Sequence, residues 1–317
     1  MASSTALTGC RPETPVTLIS EGEMEKLIGR EAFRDAILFL ARSFIAVHEA
    51  SPRVAALFAT QQRWLLCHAG LDHYFRALQT GQPGLTRSAM GHLALRHGLS
   101  SRNTAYAFFD EALKYDVIRL ADGSGEARTD PVVLAPSILA WLAHWYSLHF
   151  QTLDRIDGAD RALRFQSRLD TLLPVVAPFA AQALLATPEV RGAGPLYTIF
   201  TWADAGGLLV DRLISGIDWE ASAEQGQLLT DVTSISSLAQ AFGLSRAHTS
   251  RKLAAAESIG GLGWSGQRGR SRLWISVGFY EEYAGVQERK LLLIDRALAK
   301  AVAVIGSLPD KPAIADA

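Results

Sequence analysis

One stretch of this chain occurs twice, and that repeat constrains the fold more than any other feature. Leu93-Ala94-Leu95-Arg96-His97-Gly98-Leu99-Ser100-Ser101-Arg102-Asn103-Thr104 aligns at a constant offset with Leu238-Ala239-Gln240-Ala241-Phe242-Gly243-Leu244-Ser245-Arg246-Ala247-His248-Thr249. Leucine, alanine, glycine, leucine, serine and threonine coincide, so one supersecondary unit is built twice. In the later copy, Ser236–Phe242 reads as a short amphipathic helix carrying apolar Leu238, Ala241 and Phe242. Gly243 suits the left-handed conformation of a tight turn, and Leu244 folds back between the helices. Ser245 caps a second helix over Arg246–Ser258.

The second helix sorts its residues by face. Thr249, Leu253 and Ala256 recur at four and three and point inward. Ala247, Ser250, Arg251 and Ala254 then face out, flanked by Arg246, His248 and Lys252. Small residues allow close approach to a phosphate-lined groove, and cations supply the attraction. Gly260, Gly261 and Gly263 follow, then a tip over Ser265–Arg272 and apolar Leu273-Trp274-Ile275, the pattern of a β-hairpin with a cationic tip. From Ser234 to Ile275 the bases are Arg246, Arg251, Lys252, Arg268, Arg270 and Arg272, and the only acid is Glu257. In a chain of net charge −1 this is a local positive patch, the footprint of a nucleic-acid contact.

Ser237–Leu262 resembles the winged helix-turn-helix of bacterial transcriptional regulators, most of all the MarR-like group. Gly243, Leu244, Ser245, Thr249, Arg251, Leu253, Gly260 and Leu262 stand at its turn, cap, core and helix-ending positions. The resemblance implies a double-stranded DNA partner, with 234–275 as the main reader. Ser250 and Arg251 would face base edges. Ser245, Arg246, His248 and Lys252 would meet phosphates or flanking bases, and Arg268, Arg270 and Arg272 of the wing would reach the backbone or minor groove. Regulators of this group are homodimers held by helices outside the winged module. A chain with two such halves therefore resembles a fused pseudo-dimer, working alone or pairing again, and the resemblance adds a small-molecule effector between the flanking helices.

The earlier copy differs in chemistry. On a constant offset, Tyr106 stands opposite Arg251 and Phe109 opposite Ala254. Its wing, Val117–Leu120 and Val132–Leu134, carries an acidic tip over Ala121–Asp130, and from Thr86 to Leu134 acids and bases balance. This copy is expected either to bind DNA weakly through Arg102 and Asn103 or to serve as an interface.

The remaining chain reads as helices: Glu21–Glu49, Arg53–Leu78, 137–156, Ala159–Ala186 kinked at Pro174 and Pro178, Leu196–Ile217 and Gly278–Ile305. At 317 residues there is room for two units of ordinary size. The expected organisation is a loose tail (1–20), a first helical and winged-helix half (21–157), a second half (158–306) and a loose tail (307–317). The expected class is mainly α, with two tandem winged modules, small β-wings and long flanking helices in a pseudo-dimeric arrangement. Cys10 and Cys67 fit a reducing cytoplasm and are too few for a structural zinc site. The N-terminus lacks the pattern of a secretory signal. The apolar run Thr171–Ala186 is short and proline-interrupted, so it reads as a buried helix rather than a membrane span.

Other chemistries are discounted. Gly261-Leu262-Gly263-Trp264-Ser265-Gly266 matches the letters of a dinucleotide fingerprint but follows a helix rather than a strand. Gln267 breaks the nucleophile-elbow pattern around Ser265. His68/His73 and His144/His149 are spaced by five, off one helical face, without a carboxylate cluster beside them. No catalytic, cofactor or metal site is expected, and the chain reads as a non-enzyme. Three functions fit: a cytoplasmic, sequence-specific transcriptional regulator; a tandem winged-helix adaptor for protein partners; and a plasmid-type replication initiator. The regulator is favoured by the basic second copy.

Overall fold

Each copy of the repeat folds as two short helices around a glycine turn, followed by an antiparallel hairpin. The computed structural model describes residues 31–307, apart from 53, 54, 56, 57, 59, 122–128, 193, 203, 204 and 222–225. Several expectations fall outside the described residues. These are both tails bar Ser307, the start of the first helix with Met24, Leu27 and Ile28, the positions Arg53 and Leu57, Cys10, and most of the acidic wing tip. The described chain is mainly helical, with 13 helices and small antiparallel sheets.

In chain order the elements begin with α1 (Glu31–Ala50) and α2 (Gln61–Thr80). The first repeat copy gives α3 (Arg87–Arg96), α4 (Arg102–Lys114), β1 (Ile118–Leu120) and β2 (Val132–Leu134), and runs into α5 (Pro136–Asp157). Then come α6 (Arg161–Ser167), α7 (Leu169–Ala186), α8 (Pro188–Arg191), α9 (Pro195–Thr201), α10 (Gly206–Ser215) and β3 (Gln227–Leu229). The second copy gives α11 (Ile235–Ala241), α12 (Arg246–Ser258), β4 (Leu262–Trp264) and β5 (Leu273–Ser276), and runs into α13 (Val277–Gly306).

The two copies start their helices by the same means. Thr86, Ser101, Ser234 and Ser245 each accept a backbone N–H in the first turn of α3, α4, α11 and α12. Gly98 (φ 59°) and Gly243 (φ 63°) take the left-handed turn. The next leucine closes it: Leu99 N–H donates to Ala94 and Leu244 N–H to Ala239, each at 2.9 Å. After that leucine the offset slips by one residue. The cap of α4 is Ser101 and that of α12 is Ser245, because the first turn holds both Ser100 and Ser101. Buried Ala105, Phe109 and Ala112 therefore match buried Thr249, Leu253 and Ala256. The constant-offset pairing is thus wrong along the second helix. Arg251 faces Ala107, Ala254 faces Asp110, and Phe109 is a core residue.

Packing is reciprocal between the two ends of the chain. α2 lies on α7 and α10 lies on α1, while α1 packs on α5 and α7 packs on α13. The helices that follow each hairpin, α5 and α13, meet each other. One continuous apolar cluster runs through all of these, from Phe33 to Ala301. Residues on either side of Gly158, where α5 ends in a left-handed cap, share one core.

Two expected long helices are broken. The segment read as Ala159–Ala186 turns at Arg168 into α6 and α7. The segment read as Leu196–Ile217 breaks into α9 and α10 around Ala205 (φ 51°), and a side chain at Gly206 would collide with the backbone of Phe200. By contrast α7 runs unbroken through Pro174 and Pro178. Pro178 has no N–H for the carbonyl of Pro174, and Gln79 Nε2 of α2 supplies the missing donor at 2.8 Å. Among the described residues α7 is the one helix long and apolar enough to cross a membrane, and half of that window is buried in the fold.

α5, α6 and α13 are joined by one buried cation. Arg161 is 1% exposed. Its Nε donates to Asp295 of α13 at 2.7 Å, and its Nη atoms donate to both oxygens of Asp157 at 2.8 Å. Asp154 of α5 accepts the backbone N–H groups of Arg161 and Ala162 at 2.9 Å, which starts α6. Burial opposes the guanidinium charge, but the Asp157 and Asp295 contacts outweigh it and hold its pKa above the ordinary value. Asp154 and Asp295 hold the same position in α5 and α13, counted from Pro136 and Val277. Replacing Arg161 with methionine removes the guanidinium that Asp157 and the buried Asp295 share. The expected loss of stability in a denaturant titration is about 3–5 kcal/mol.

Candidate nucleic-acid interface

The basic surface is carried by α12 and the hairpin behind it. Thr249, Leu253 and Ala256 are buried, as the spacing predicts, and α12 is held by contacts with α11 and α9. Ser245 Oγ accepts the N–H of His248 at 3.1 Å. Gly261 passes against Leu196 of α9 with no space for a side chain. The N–H groups of Leu196 and Tyr197 in turn donate to Glu282 of α13, both at 2.9 Å, so α9 ties the basic helix to the core.

The outward face is as expected. Arg246, Ala247, Arg251 and Ala254 are exposed, and Ser250, His248 and Lys252 are partly so. Among the described residues, Arg246, Arg251 and Lys252 form no ion pair within the chain, so their charge is available to an outside partner. Glu257 is not a free acid, because it accepts from Arg268 Nε at 3.0 Å. Arg268 also reaches Ser250, with Nη1 3.4 Å from its hydroxyl and Nη2 3.3 Å from its carbonyl. The wing tip is thereby folded onto the helix, beside Arg251.

The wing itself has three strands, ordered β3-β5-β4. Leu262 pairs with Ile275 and Trp264 with Leu273, and β3 adds Leu228 against Ile275. The third strand was missed in the sequence because Gln227-Leu228-Leu229 is too short to show alternation. Gly263 lies under the indole of Trp274, where a side chain would clash. The glycines that mimic a dinucleotide fingerprint thus serve strand packing. Of the three wing arginines, Arg270 is exposed and free, whereas Arg272 is half-buried. Arg272 Nε donates to Thr230 O and Nη2 to Asp218, both at 2.9 Å, and that contact holds the Asp218 carboxyl below its ordinary pKa. Arg272, expected from the resemblance to reach DNA, already has partners within the chain that tie the sheet to Asp218.

The first copy has the same frame with its charge cancelled. Arg102 and Asn103 are exposed at the start of α4, as expected. Asp110 stands two turns on and takes a two-pronged contact from Arg87 at 2.7 and 2.8 Å. The guanidinium of Arg87 also lies 4.2 Å from the ring centre of Tyr106, which covers Gly91 of α3. Arg119 of β1 is spent on Asp116. Arg102 is therefore the free cation on this face among the described residues, beside a fixed acid.

The other polar side chains of the helical body do not assemble a metal site: among the described residues no group of three histidine, cysteine or acidic side chains is close enough to hold an ion. His68 and His149 are buried between Trp64 and Trp145, with His149–Trp145 ring centres 4.0 Å apart. His149 Nδ1 lies 2.7 Å from the carbonyl of Trp145, which can only accept, so Nδ1 bears the proton. Burial pushes the Cys67 thiol up to about 12, which leaves it inert as a nucleophile. The chain matches no family model, no curated protein and no solved structure.

Burial, reinforced by nearby Lys290, pushes the pKa of His68 down to about 3. The unfolded chain takes up this proton below about 6.5 while the folded chain does not, so stability falls as pH drops through that window. From pH 7 to 5 this one residue costs about 2 kcal/mol. Denaturant titrations at both pH values should show a smaller acid loss in His68→Leu than in the parent.

Proposed function

We propose that the chain is a sequence-specific DNA-binding transcriptional regulator. In this reading it consists of two winged helix-turn-helix modules fused into a pseudo-dimer, and the second module is the main reader. The observation that carries it is the exposed face of α12, where small residues alternate with unpaired Arg246, Arg251 and Lys252 beside the cationic wing tip. α12 would enter the major groove with Arg251 and Ser250 toward base edges. Arg246, Lys252 and His248 would meet phosphates at the groove walls, and the cap of Ser245 holds the helix start in place for them. Arg270 would reach the neighbouring backbone. Arg268 would exchange its contacts with Glu257 and Ser250 for a phosphate. The first module, with Asp110 fixed by Arg87, would add only weak backbone contacts through Arg102 and Asn103. Unequal modules favour an asymmetric site.

A second reading is supported by the cancelled charge of the first module: a tandem winged-helix adaptor that binds proteins through that face. Affinity for DNA decides between the two. A motif recovered by sequencing genomic fragments captured on the purified chain supports the regulator. Capture without a salt-dependent preference for any DNA supports the adaptor.

On the recovered site, Arg251→Ala should weaken binding by about 1–3 kcal/mol and relax sequence preference. Arg270→Ala should weaken binding to all sequences and lower the salt slope by about 1. Fluorescence anisotropy across a salt series measures both, and unchanged affinity and preference in Arg251→Ala would refute the proposed role of α12.

A further inference from the structure

A cavity of about 190 Å³ lies where the two ends of the chain pack together, between α1, α2, α5, α10 and α13. Phe44, Trp64, Trp141 and Trp145 form its walls, and the oppositely charged side chains of Asp211 and Lys290 line it together with His48 and Tyr197. Asp211 and Lys290 are both more than nine-tenths buried. Neither belongs to the basic surface of α12, and neither was singled out in the sequence.

The two charges are unsatisfied in a particular way. Lys290 makes no hydrogen bond and no ion pair among the described residues, and its ammonium rests 5.1 Å from the ring centre of Phe44. Asp211 accepts one hydrogen bond, from Tyr283 Oη at 2.8 Å, through Oδ1. Its Oδ2 has no partner among the described residues. No ion pair within 4.0 Å joins Asp211 to Lys290. Opposite charges buried at one cavity without touching each carry a desolvation cost that the Tyr283 hydrogen bond and the Phe44 ring offset only in part. Burial accordingly raises the Asp211 carboxyl and lowers the Lys290 ammonium from their ordinary values, and each only partly relieves the other. Tyr283, Val286 and Lys290 recur at three and four along α13, so one helix face presents both the Asp211 contact and the ammonium.

A ligand with a single charge would leave the other side chain as it is. A ligand with both an ammonium and a carboxylate satisfies both. The walls require its body to be apolar. Size narrows it further: an apolar cavity of about 150 Å³ takes a benzene, and drug-sized sites begin near 300 Å³.

We propose that this cavity binds a free α-amino acid with a compact apolar side chain, of the size of leucine or phenylalanine. Its carboxylate meets Lys290, its ammonium meets Asp211, and its side chain lies among the tryptophans. The site stands apart from the DNA reading, since it uses none of the residues of α12 or the wing.

The test is a titration of the full chain with L-phenylalanine and L-leucine, followed by calorimetry and by tryptophan fluorescence. 3-Phenylpropionate lacks the amine and phenethylamine lacks the carboxylate. At least one of the two amino acids should bind, and the matching analogue that lacks either charge should bind at least tenfold more weakly. Lys290→Met should weaken amino-acid binding at least tenfold while leaving phenethylamine binding unchanged. Asp211→Asn should do the same with 3-phenylpropionate as the indifferent ligand. The analogue series on the unaltered chain decides the matter even where a variant fails to fold. Binding of 3-phenylpropionate as tight as that of phenylalanine would overturn the proposal in favour of a plain carboxylate site. Absence of heat and of a fluorescence change with both amino acids at millimolar concentration would overturn it outright.

Discussion

The contact on which the architecture depends is that of Arg161 with Asp154, Asp157 and Asp295. A buried ion cluster is weak evidence for net stability, because desolvation consumes most of the Coulomb gain. Its value here is positional. A guanidinium with five donors in a fixed plane accepts few arrangements of carboxylates, and this one, at the start of α6, takes its acids from α5 and α13. A slide of α13 by one residue would turn Asp295 away from the guanidinium of Arg161. The register of the two long central helices is therefore set by polar geometry, while the apolar cluster around them supplies the bulk of the stabilisation.

That register is passed outward to the basic surface. α13 starts directly where β5 ends, with Ser276 as its cap, so fixing α13 fixes the wing. Glu282, on the same helix, holds the start of α9, and α9 braces α12. Arg272 ties the wing back to Asp218 on the far side. The first copy lacks this bracing pattern in one respect: its sheet has two strands, and its outward helix face is closed by Arg87, Tyr106 and Asp110. The same frame thus carries an open cationic face at one end and a neutralised one at the other. The difference in charge lies in a few side chains.

Local features were the most legible in the sequence. The Ser245 cap, the left-handed Gly243 and the inward spacing of Thr249, Leu253 and Ala256 depend on neighbours within a turn or two, and these were readable. The slip in the repeat was not. Gly98-Leu99-Ser100-Ser101 offers two capping serines, and only the hydrogen bond to Thr104 shows which is used. Features that depend on distant partners were also hidden. Gln79 supplies a donor to the carbonyl that Pro178 leaves open, and the helix continues past both prolines. Arg272 looks like its wing neighbours until Asp218, far earlier in the chain, is brought beside it. Asp211 and Lys290 each sit in an amphipathic helix where a charge normally faces solvent, and only the packing of α10 against its neighbours turns them inward.

The last two residues set the helical body apart from a plain apolar core. A core chosen only to join two modules would hold apolar side chains at positions 211 and 290, since replacing an unpaired buried charge by a hydrophobe of similar size usually stabilises. Apolar neighbours surround both sites: Leu209, Val210 and Leu213 on α10, and Leu291 and Leu292 on α13 are all buried. Yet the chain keeps the two charges, facing a cavity walled by indoles and set against α13, the helix that continues from the wing. Whatever pairs with Lys290 would pair with a side chain of the same helix that carries Asp295 and Glu282.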